Sequence, residues 1–334
     1  MHLDAFTHFF PPAYFARMQE LVSNKGSIKR WLNLPTLWDL EARRKMVGSF
    51  ADYQQILTNS MPPVEFVASP QDSPELARIG NDGLAELVAK YPDEFPAFAA
   101  SLPMNNPEAA VAEVNRAIGE LGAVGVQIHT NVNGRPLDEA AFFPIFEAVA
   151  KHDKPVWLHP CRGPGFSDYK SEEKSKYEIW WTFGWPYETS AAMSRMVFSG
   201  MFDKLPNLKV ITHHMGAMIP FFEGRVGPGW DQLGSRTDDE DYEALLEAMP
   251  HRPVDYFKRF YADTALFGSD SGTRCGLDFF GADNIVFASD CPFDPENGFM
   301  FIRETMAVID RLEVSDEVRQ KILSGNIKAL TGLK

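Results

Sequence analysis

Short apolar runs alternate along the chain with longer segments whose apolar residues recur at helical spacing. The runs have the length of buried strands, and segments such as 74–90, 107–121 and 138–152 have the period of an amphipathic helix. A further helix is predicted around 243–260. Strands and helices that alternate at this interval form β-α-β units, which build a parallel sheet covered by helices. The pattern therefore predicts one α/β domain over 1–334, folded as a (β/α)8 TIM barrel.

Four of the predicted strands end at an ionisable side chain. These segments are 1–8, 154–160, 208–214 and 284–290, and the side chains are those of His8, His159, His214 and Asp290. The carboxyl ends of the strands of a parallel barrel form one face, where such barrels carry their active sites. We therefore expect these four side chains to converge on a space of the size of a metal ion.

The sequence signals for the remaining strands differ in strength. Strands are predicted at 95–102, 126–129 and 260–264, whereas the second strand lies somewhere within 49–57, where the signal is mixed. The polar segment 22–36 is predicted to be a surface loop.

Residues 161–187, directly after the fifth predicted strand, interrupt the alternation. The segment begins rich in glycine and charge and continues rich in aromatic residues. An insertion beside a rim histidine is well placed to form a lid, in which Trp181 and Trp185 would wall an apolar substrate pocket. The same composition is explained equally well if the segment is only a structural loop or forms a contact between subunits.

Composition narrows the range of partners. The net charge of −14 and the lack of a Lys/Arg-rich run argue against binding to nucleic acid or to an anionic membrane surface. No apolar stretch approaches the roughly 20 residues that span a bilayer. Cys161, Cys275 and Cys291 lack CxxC spacing, and the first ten residues already carry strand and site residues. We therefore expect free thiols and a cytoplasmic protein without a targeting segment.

The strand-end side chains are of the types that bind divalent metals. An open metal site needs a few nitrogen and oxygen ligands and one free position for water or substrate. His8, His159 and Asp290 meet that need if the barrel closes as predicted. Any one of these histidines alone is more often an ordinary residue, so the prediction depends on their shared face.

Several motifs follow one another along the chain in a fixed order. They include Asp4-x-x-x-His8-Phe-x-Pro, Pro155-Val-Trp-Leu-His159-Pro, His213-His-Met-Gly216 and Ser289-Asp290-Cys-Pro-Phe293. In their order and spacing they resemble the amidohydrolase superfamily, in its amidohydrolase 2 branch of aminocarboxymuconate semialdehyde and γ-resorcylate decarboxylases. The resemblance covers nearly the whole chain.

The resemblance implies a distorted (β/α)8 barrel with one divalent metal ion, most often zinc, with manganese and iron as alternatives. It makes His8, His159 and Asp290 the metal ligands. It also implies that His214 and Asp290 act on substrate protons and that Arg225 binds a substrate carboxylate, which suits a guanidinium fork.

The chain departs from this family at its first ligand position. The family has histidine or glutamate there, whereas this chain has Phe6, which cannot bind a metal. Asp4 is a candidate substitute, although a structural role for it is at least as well supported.

The five other histidines are interpreted from their place along the chain. Neighbouring residues on a strand point to opposite sides, so we expect His213 to face the helical shell, with a second site group as the alternative. His129 also ends a strand and is a candidate for the pocket. The residues interpreted as structural or exposed are His2, His152 and His251.

These observations lead to a metal-dependent lyase that decarboxylates a small aromatic or unsaturated carboxylate. A hydratase or hydrolase with the same fold is the nearest alternative. Phe6 leaves a second alternative, a degenerate subunit that supports an active paralogue in a hetero-oligomer, including a metal oxygenase. The resemblance also implies that the chain forms a homo-oligomer.

Overall fold

Eight parallel strands form the centre of the computed structural model, which describes residues 1–238 and 240–334. Each strand pairs with the next along the chain. The strands are β1 (His2–His8), β2 (Tyr53–Thr58), β3 (Ala97–Phe98 and Ala100–Ser101), β4 (Val126–His129), β5 (Pro155–His159), β6 (Lys209–Thr212), β7 (Tyr261–Asp263) and β8 (Ile285–Val286).

Hydrogen bonds between the residues after β8 and β1 close the barrel. The Ala5 N–H donates to the Phe287 carbonyl at 2.8 Å, and the Asp290 N–H donates to the Phe6 carbonyl at 3.2 Å. The eighth strand, Ile285–Val286, is shorter than the predicted 284–290. Residues 287–290 bond to β1 but do not form a regular strand ladder with it. The predicted (β/α)8 barrel is confirmed.

The third strand is divided where it changes partner. The Ala99 N–H donates to the Leu57 carbonyl on the β2 side, and the next N–H, of Ala100, donates to the Gly125 carbonyl on the β4 side. One strand thereby connects the two parts of the barrel wall.

Helices follow the strands and cover the outside of the barrel. They are α1 (Pro12–Leu21), α2 (Lys29–Leu32), α3 (Leu40–Val47), α4 (Val64–Val67), α5 (Ser73–Lys90), α6 (Pro107–Gly119), α7 (Phe143–Lys151), α8 (Ile179–Thr182), α9 (Gly184–Phe198), α10 (Met201–Lys204), α11 (Tyr242–Ala248), α12 (Pro253–Phe257), α13 (Asp270–Phe280), α14 (Phe299–Arg311), α15 (Asp316–Gln320) and α16 (Asn326–Thr331). Among the described residues, none of these helices is long and apolar enough to cross a membrane.

The segment 22–36 differs from the predicted loop. It forms the 3-10 turn Lys25–Ile28, helix α2 and the start of a second 3-10 turn, Pro35–Leu37. The Asn24 side chain caps the first turn by accepting from the Gly26 N–H. Ile28 and Leu37 are buried, so the segment folds onto the core because it carries apolar side chains at turn spacing.

The barrel interior has its own apolar core beneath the strand ends. Phe6 and Trp157 are fully buried there, and the Trp157 indole N–H crosses the interior to donate to the Ala5 carbonyl at 2.7 Å. Gly125 allows this packing, since a Cβ at that position would lie 2.4 Å from the Trp157 ring. This packed layer supports the side chains at the carboxyl ends of the strands.

Candidate metal centre

Four buried side chains meet at the carboxyl ends of the strands. His8 ends β1, His159 ends β5, His213 follows β6 and Asp290 follows β8. One ligand atom from each lies within 4.8 Å of the others. The structure therefore brings together the three predicted ligands and adds a fourth, and we call these four residues the metal cluster.

The orientation predicted for His213 is wrong. Ile211, two residues earlier, packs in the barrel interior, and alternation along the strand places His213 on the same inward side. The next residue, His214, has a φ of 56°, so the chain leaves the strand in a left-handed turn. This turn brings His214 to the site as well, which simple alternation does not predict.

Each histidine of the cluster is oriented by a contact to its Nδ1 atom. In His8 this atom lies 3.1 Å from the Asn59 carbonyl oxygen, and in His159 it lies 2.7 Å from the Pro160 carbonyl oxygen. In His213 it bonds to Oδ2 of Asp263. An imidazole that donates from Nδ1 keeps the lone pair of Nε2 for a metal, which is the usual arrangement around metal-binding histidines.

The carboxylate of Asp290 lies among imidazoles. Its Oδ1 is 3.1 Å from Nε2 of His8 and 3.2 Å from Nε2 of His213, and its Oδ2 is 3.5 Å from Nε2 of His214. The contact to His213 lacks hydrogen-bond alignment, so this Nε2 has no partner among the described residues. A buried polar atom without a partner is uncommon and marks a place for a ligand.

The electrostatics of the cluster favour a positive charge at its centre. Burial tends to lower the pKa of His213, but the carboxylates of Asp263 and Asp290 raise it to about 10. Burial tends to raise the pKa of Asp290, yet the neighbouring histidines hold it well below its usual value. Burial lowers the pKa of His159 well below its usual value, so this imidazole is neutral and suited to bind a cation.

His214 lies beside the cluster without belonging to it. Burial, and then the charge of His213, lower the pKa of His214. Its backbone N–H donates to Oδ1 of Asp263 at 2.9 Å, so Asp263 holds both neighbouring histidines. Sequence reasoning missed Asp263, although it ends β7 as the other site residues end their strands.

Phe6 fills the space among the imidazoles. Its ring centroid lies 4.0 Å from that of His213, 5.4 Å from that of His8 and 5.9 Å from that of His159. Asp4, the candidate substitute ligand, lies outside the cluster. Its carboxylate accepts from the Ser289 N–H at 3.0 Å and from the Tyr53 hydroxyl at 2.6 Å, so Asp4 connects β1 to β2 and to the residues after β8.

The aromatic segment after β5 reaches the site through Trp185. The Trp185 indole packs edge-on against His159, with ring centroids 5.6 Å apart, and its N–H donates to the Arg162 carbonyl. Trp181 packs on Trp185 with ring centroids 6.4 Å apart, one layer further from the cluster. The lid function of 161–187 stays a prediction.

Arg225 lies in the connection between β6 and α11. It begins the π-helical turn Arg225–Gly229, is exposed, and has its guanidinium 5.7 Å from the Phe222 ring centroid. Its role in binding a carboxylate also stays a prediction.

Comparisons with known proteins identify relatives of the whole chain. A family model described as Amidohydrolase matches residues 4–333. The 2-amino-3-carboxymuconate-6-semialdehyde decarboxylase of Dictyostelium discoideum is 31% identical over 296 residues, which are 89% of this chain and 77% of that protein. The gamma-resorcylate decarboxylase of Polaromonas sp. is 33% identical over 336 residues, covering 95% of this chain and 96% of the relative.

Solved structures give the same result. The 2,6-dihydroxybenzoate decarboxylase from Rhizobium matches with a TM-score of 0.78 and 25% identity, over 99% of this chain and 98% of that one. A dihydroxybenzoic acid decarboxylase from Polaromonas sp., solved with bound manganese and the inhibitor 2-nitroresorcinol, has a TM-score of 0.78 and 28% identity over 99% of this chain and 97% of its own. The matched length and the barrel with its strand-end cluster show that this chain belongs to the amidohydrolase family.

Proposed function

We propose that this protein is a metal-dependent decarboxylase that acts on a small aromatic carboxylate. The observation that carries the proposal is the metal cluster, a buried set of three imidazoles and one carboxylate at the strand ends. The similar proteins named above are decarboxylases, which favours loss of CO2 over the addition of water by a hydratase or hydrolase.

The residues of the cluster fit one divalent metal ion. His8, His159 and His213 each have Nδ1 in contact with an oxygen of the protein, which leaves three Nε2 atoms beside the Asp290 carboxylate. Three nitrogen donors and one oxygen donor suit zinc better than manganese, which prefers oxygen. We therefore propose zinc, although the related Polaromonas enzyme was solved with manganese.

The exchange of a ligand between strands supports an active site despite Phe6. The family resemblance assigns the first ligand to position 6 on β1, and here His213 after β6 supplies an imidazole in direct contact with Phe6. With His213 the site again offers four residues that can bind a metal ion. This removes the main reason for regarding the chain as a supporting subunit.

Decarboxylation needs a polarised carboxylate and a proton for the carbon that loses CO2. A bound metal supplies Lewis-acid polarisation of the substrate carboxylate and of a neighbouring oxygen. The C–C bond to the carboxylate breaks, its electron pair remains on the ring carbon, and that carbon takes up a proton. His214 and Asp290 hold and move this proton, since Nε2 of His214 lies 3.5 Å from Oδ2 of Asp290.

Aromatic side chains beside the cluster suit an aromatic substrate. Trp185 packs against His159 and Trp181 packs against Trp185 at an interplanar angle of 70°, so the two indoles place apolar surface beside the cluster for the substrate ring. In this proposal Arg225 binds a carboxylate of the substrate, and its exposed guanidinium is free to turn towards an incoming anion.

We also propose that the protein forms a homo-oligomer. Large aromatic side chains of the segment after β5 are exposed, among them Tyr177 at 91%, Tyr169 at 72% and Phe183 at 70%. Exposed apolar groups of this size favour association between chains. Sedimentation analysis of the purified protein tests this directly, and a monomer at all concentrations would contradict it.

The test of function is release of CO2 from a panel of hydroxylated benzoates by the metal-loaded protein. We expect turnover of at least one compound, and no turnover by the protein after its metal is removed with a chelator. The matched control is the same chelated protein after zinc or manganese is restored, which should recover activity. A metal-loaded wild-type protein that releases no CO2 from any aromatic carboxylate would contradict the proposal.

A further inference from the structure

A second polar cavity lies beside the metal cluster. It has a volume of about 10 Å3, room for one water-sized group, and lies between helix α1, the segment 60–65 and the ends of β3 and β4. Its polar lining consists of Tyr14, Ser60, Glu65, Ser101, Gln127 and His129.

Four buried polar atoms of this cavity have no hydrogen-bond partner among the described residues. They are Oη of Tyr14, Oε1 of Glu65, Oε1 of Gln127 and Nε2 of His129. Buried side-chain polar atoms almost always have a partner, so four such atoms around one space indicate that the space receives a polar group.

His129, which lines the cavity, contacts a residue of the metal cluster. His129 pairs in register with His159 across β4 and β5, and their ring centroids lie 5.3 Å apart. The Gln127 amide N–H donates to the Asn59 carbonyl at 2.9 Å, and the same carbonyl oxygen contacts Nδ1 of His8. The cavity and the cluster are therefore neighbours, separated by the ring of His129.

The lining selects an uncharged group that both donates and accepts hydrogen bonds. The Gln127 amide nitrogen is used on Asn59, so its free oxygen can only accept. Glu65 is 4% exposed, and burial raises its pKa to about 8, so near neutral pH its carboxyl group is protonated and can donate. A second carboxylate would offer no proton to Gln127, whereas a hydroxyl group satisfies both side chains.

We propose that this cavity binds a hydroxyl substituent of the aromatic substrate, with Glu65 and Gln127 as the residues that determine this specificity. The inference rests on the proposed function, because the hydroxyl group must belong to a carboxylate bound at the metal cluster. Together the two sites would bind two substituents of one ring, the carboxylate at the metal and the hydroxyl group in the cavity.

The test is calorimetric binding of benzoate and of the three monohydroxybenzoates to the metal-loaded protein. For wild type we expect one hydroxybenzoate to bind about tenfold more tightly than benzoate, the gain of about one hydrogen-bonded group. Glu65→Met removes the free oxygen and should abolish this preference without changing affinity for benzoate or the metal content. Glu65→Gln is the matched control, because it keeps a neutral donor and acceptor and should keep the preference.

Two results would overturn the inference. A wild-type protein that binds all four compounds equally would mean that the cavity holds water only. A Glu65→Met protein with a wild-type thermal melting profile and an unchanged hydroxyl preference would exclude Glu65 as the selecting group. Failure of the proposed function looks different, since then neither benzoate nor any hydroxybenzoate binds to the wild-type protein.

Discussion

The Phe6 ring stacks on the imidazole of His213 at an interplanar angle of 19°, with ring centroids 4.0 Å apart. The position on β1 to which the family resemblance assigns a metal ligand is therefore occupied by a side chain that packs on His213, a member of the metal cluster that follows β6. In the proposed site, His213 supplies the imidazole that β1 does not. We expect the two positions to depend on each other, because their rings are in contact.

This coupling predicts that the ligand can be moved back to β1. The double variant Phe6→His/His213→Ala should bind about one metal ion per chain, because the new imidazole stands where the family places its ligand. The control is Phe6→Leu/His213→Ala, which keeps an apolar side chain on β1 and should bind none. Metal content by elemental mass spectrometry measures both, and equal loss in the two double variants would contradict the coupling.

Asp263 should control metal affinity without touching the metal. Its carboxylate accepts from His213 and also from the His214 backbone N–H, so Asp263→Asn weakens the orientation of both. We expect a loss of metal affinity of about 10–100-fold, as for other residues that orient metal-binding histidines.

Competition with a fluorescent zinc chelator gives the affinity of the Asp263→Asn protein. Asp255→Asn changes an exposed aspartate on α12 and serves as the control, with affinity expected to equal that of wild type. Equal affinity in all three proteins would exclude this role of Asp263.

His214 should be needed for turnover and not for metal binding. His214→Asn removes the group that moves the proton but leaves the four residues of the metal cluster in place. We expect kcat to fall by about 10²–10⁴-fold, the usual contribution of a proton-transferring group, at unchanged metal content. Loss of the metal in this variant would instead identify His214 as a ligand.

Asp4 should make stability depend on pH. Burial raises its pKa in the folded protein from 3.8 to about 6, so the folded state holds the proton more tightly than the unfolded state. The stability associated with this proton is complete below pH 4 and is lost as the pH rises through 6. The shift corresponds to roughly 3 kcal/mol of unfolding free energy.

The Asp4→Asn variant, which resembles the protonated form, separates this effect from other titrations. Urea unfolding of the two proteins at several pH values should give a stability difference that turns against the wild type between pH 4 and 7. A difference that stays constant over this range would show that Asp4 does not titrate as its burial requires.

The fold and much of the site follow from local sequence patterns. The apolar runs that end in His8, His159 and Asp290 predicted both the barrel and the shared face, because parallel strands place their carboxyl ends together. Motif resemblance then gave the family. The role of Asp263 depends on a contact between β6 and β7 residues that lie about 50 positions apart in sequence, which no local pattern contains.

Two errors have a common cause in backbone geometry. His213 was assigned to the wrong side because the prediction set His214 on the inner face, whereas Ile211 fixes the alternation and His214 reaches the site through a left-handed turn. A helix was predicted around 243–260, but the chain is extended at Met249 and Arg252, between α11 and α12. Both features are changes of backbone direction, to which side-chain periodicity is insensitive.

The central claim is that His213 completes a four-residue metal centre in a chain that lacks the usual ligand at position 6. The most direct test is the metal content per chain of wild type, His213→Ala and His251→Ala, all purified without chelator. The account predicts about one metal ion per chain in wild type and in the exposed-histidine control His251→Ala, and loss of the metal in His213→Ala. Full metal content in His213→Ala, or a wild-type protein that binds no metal, would contradict it.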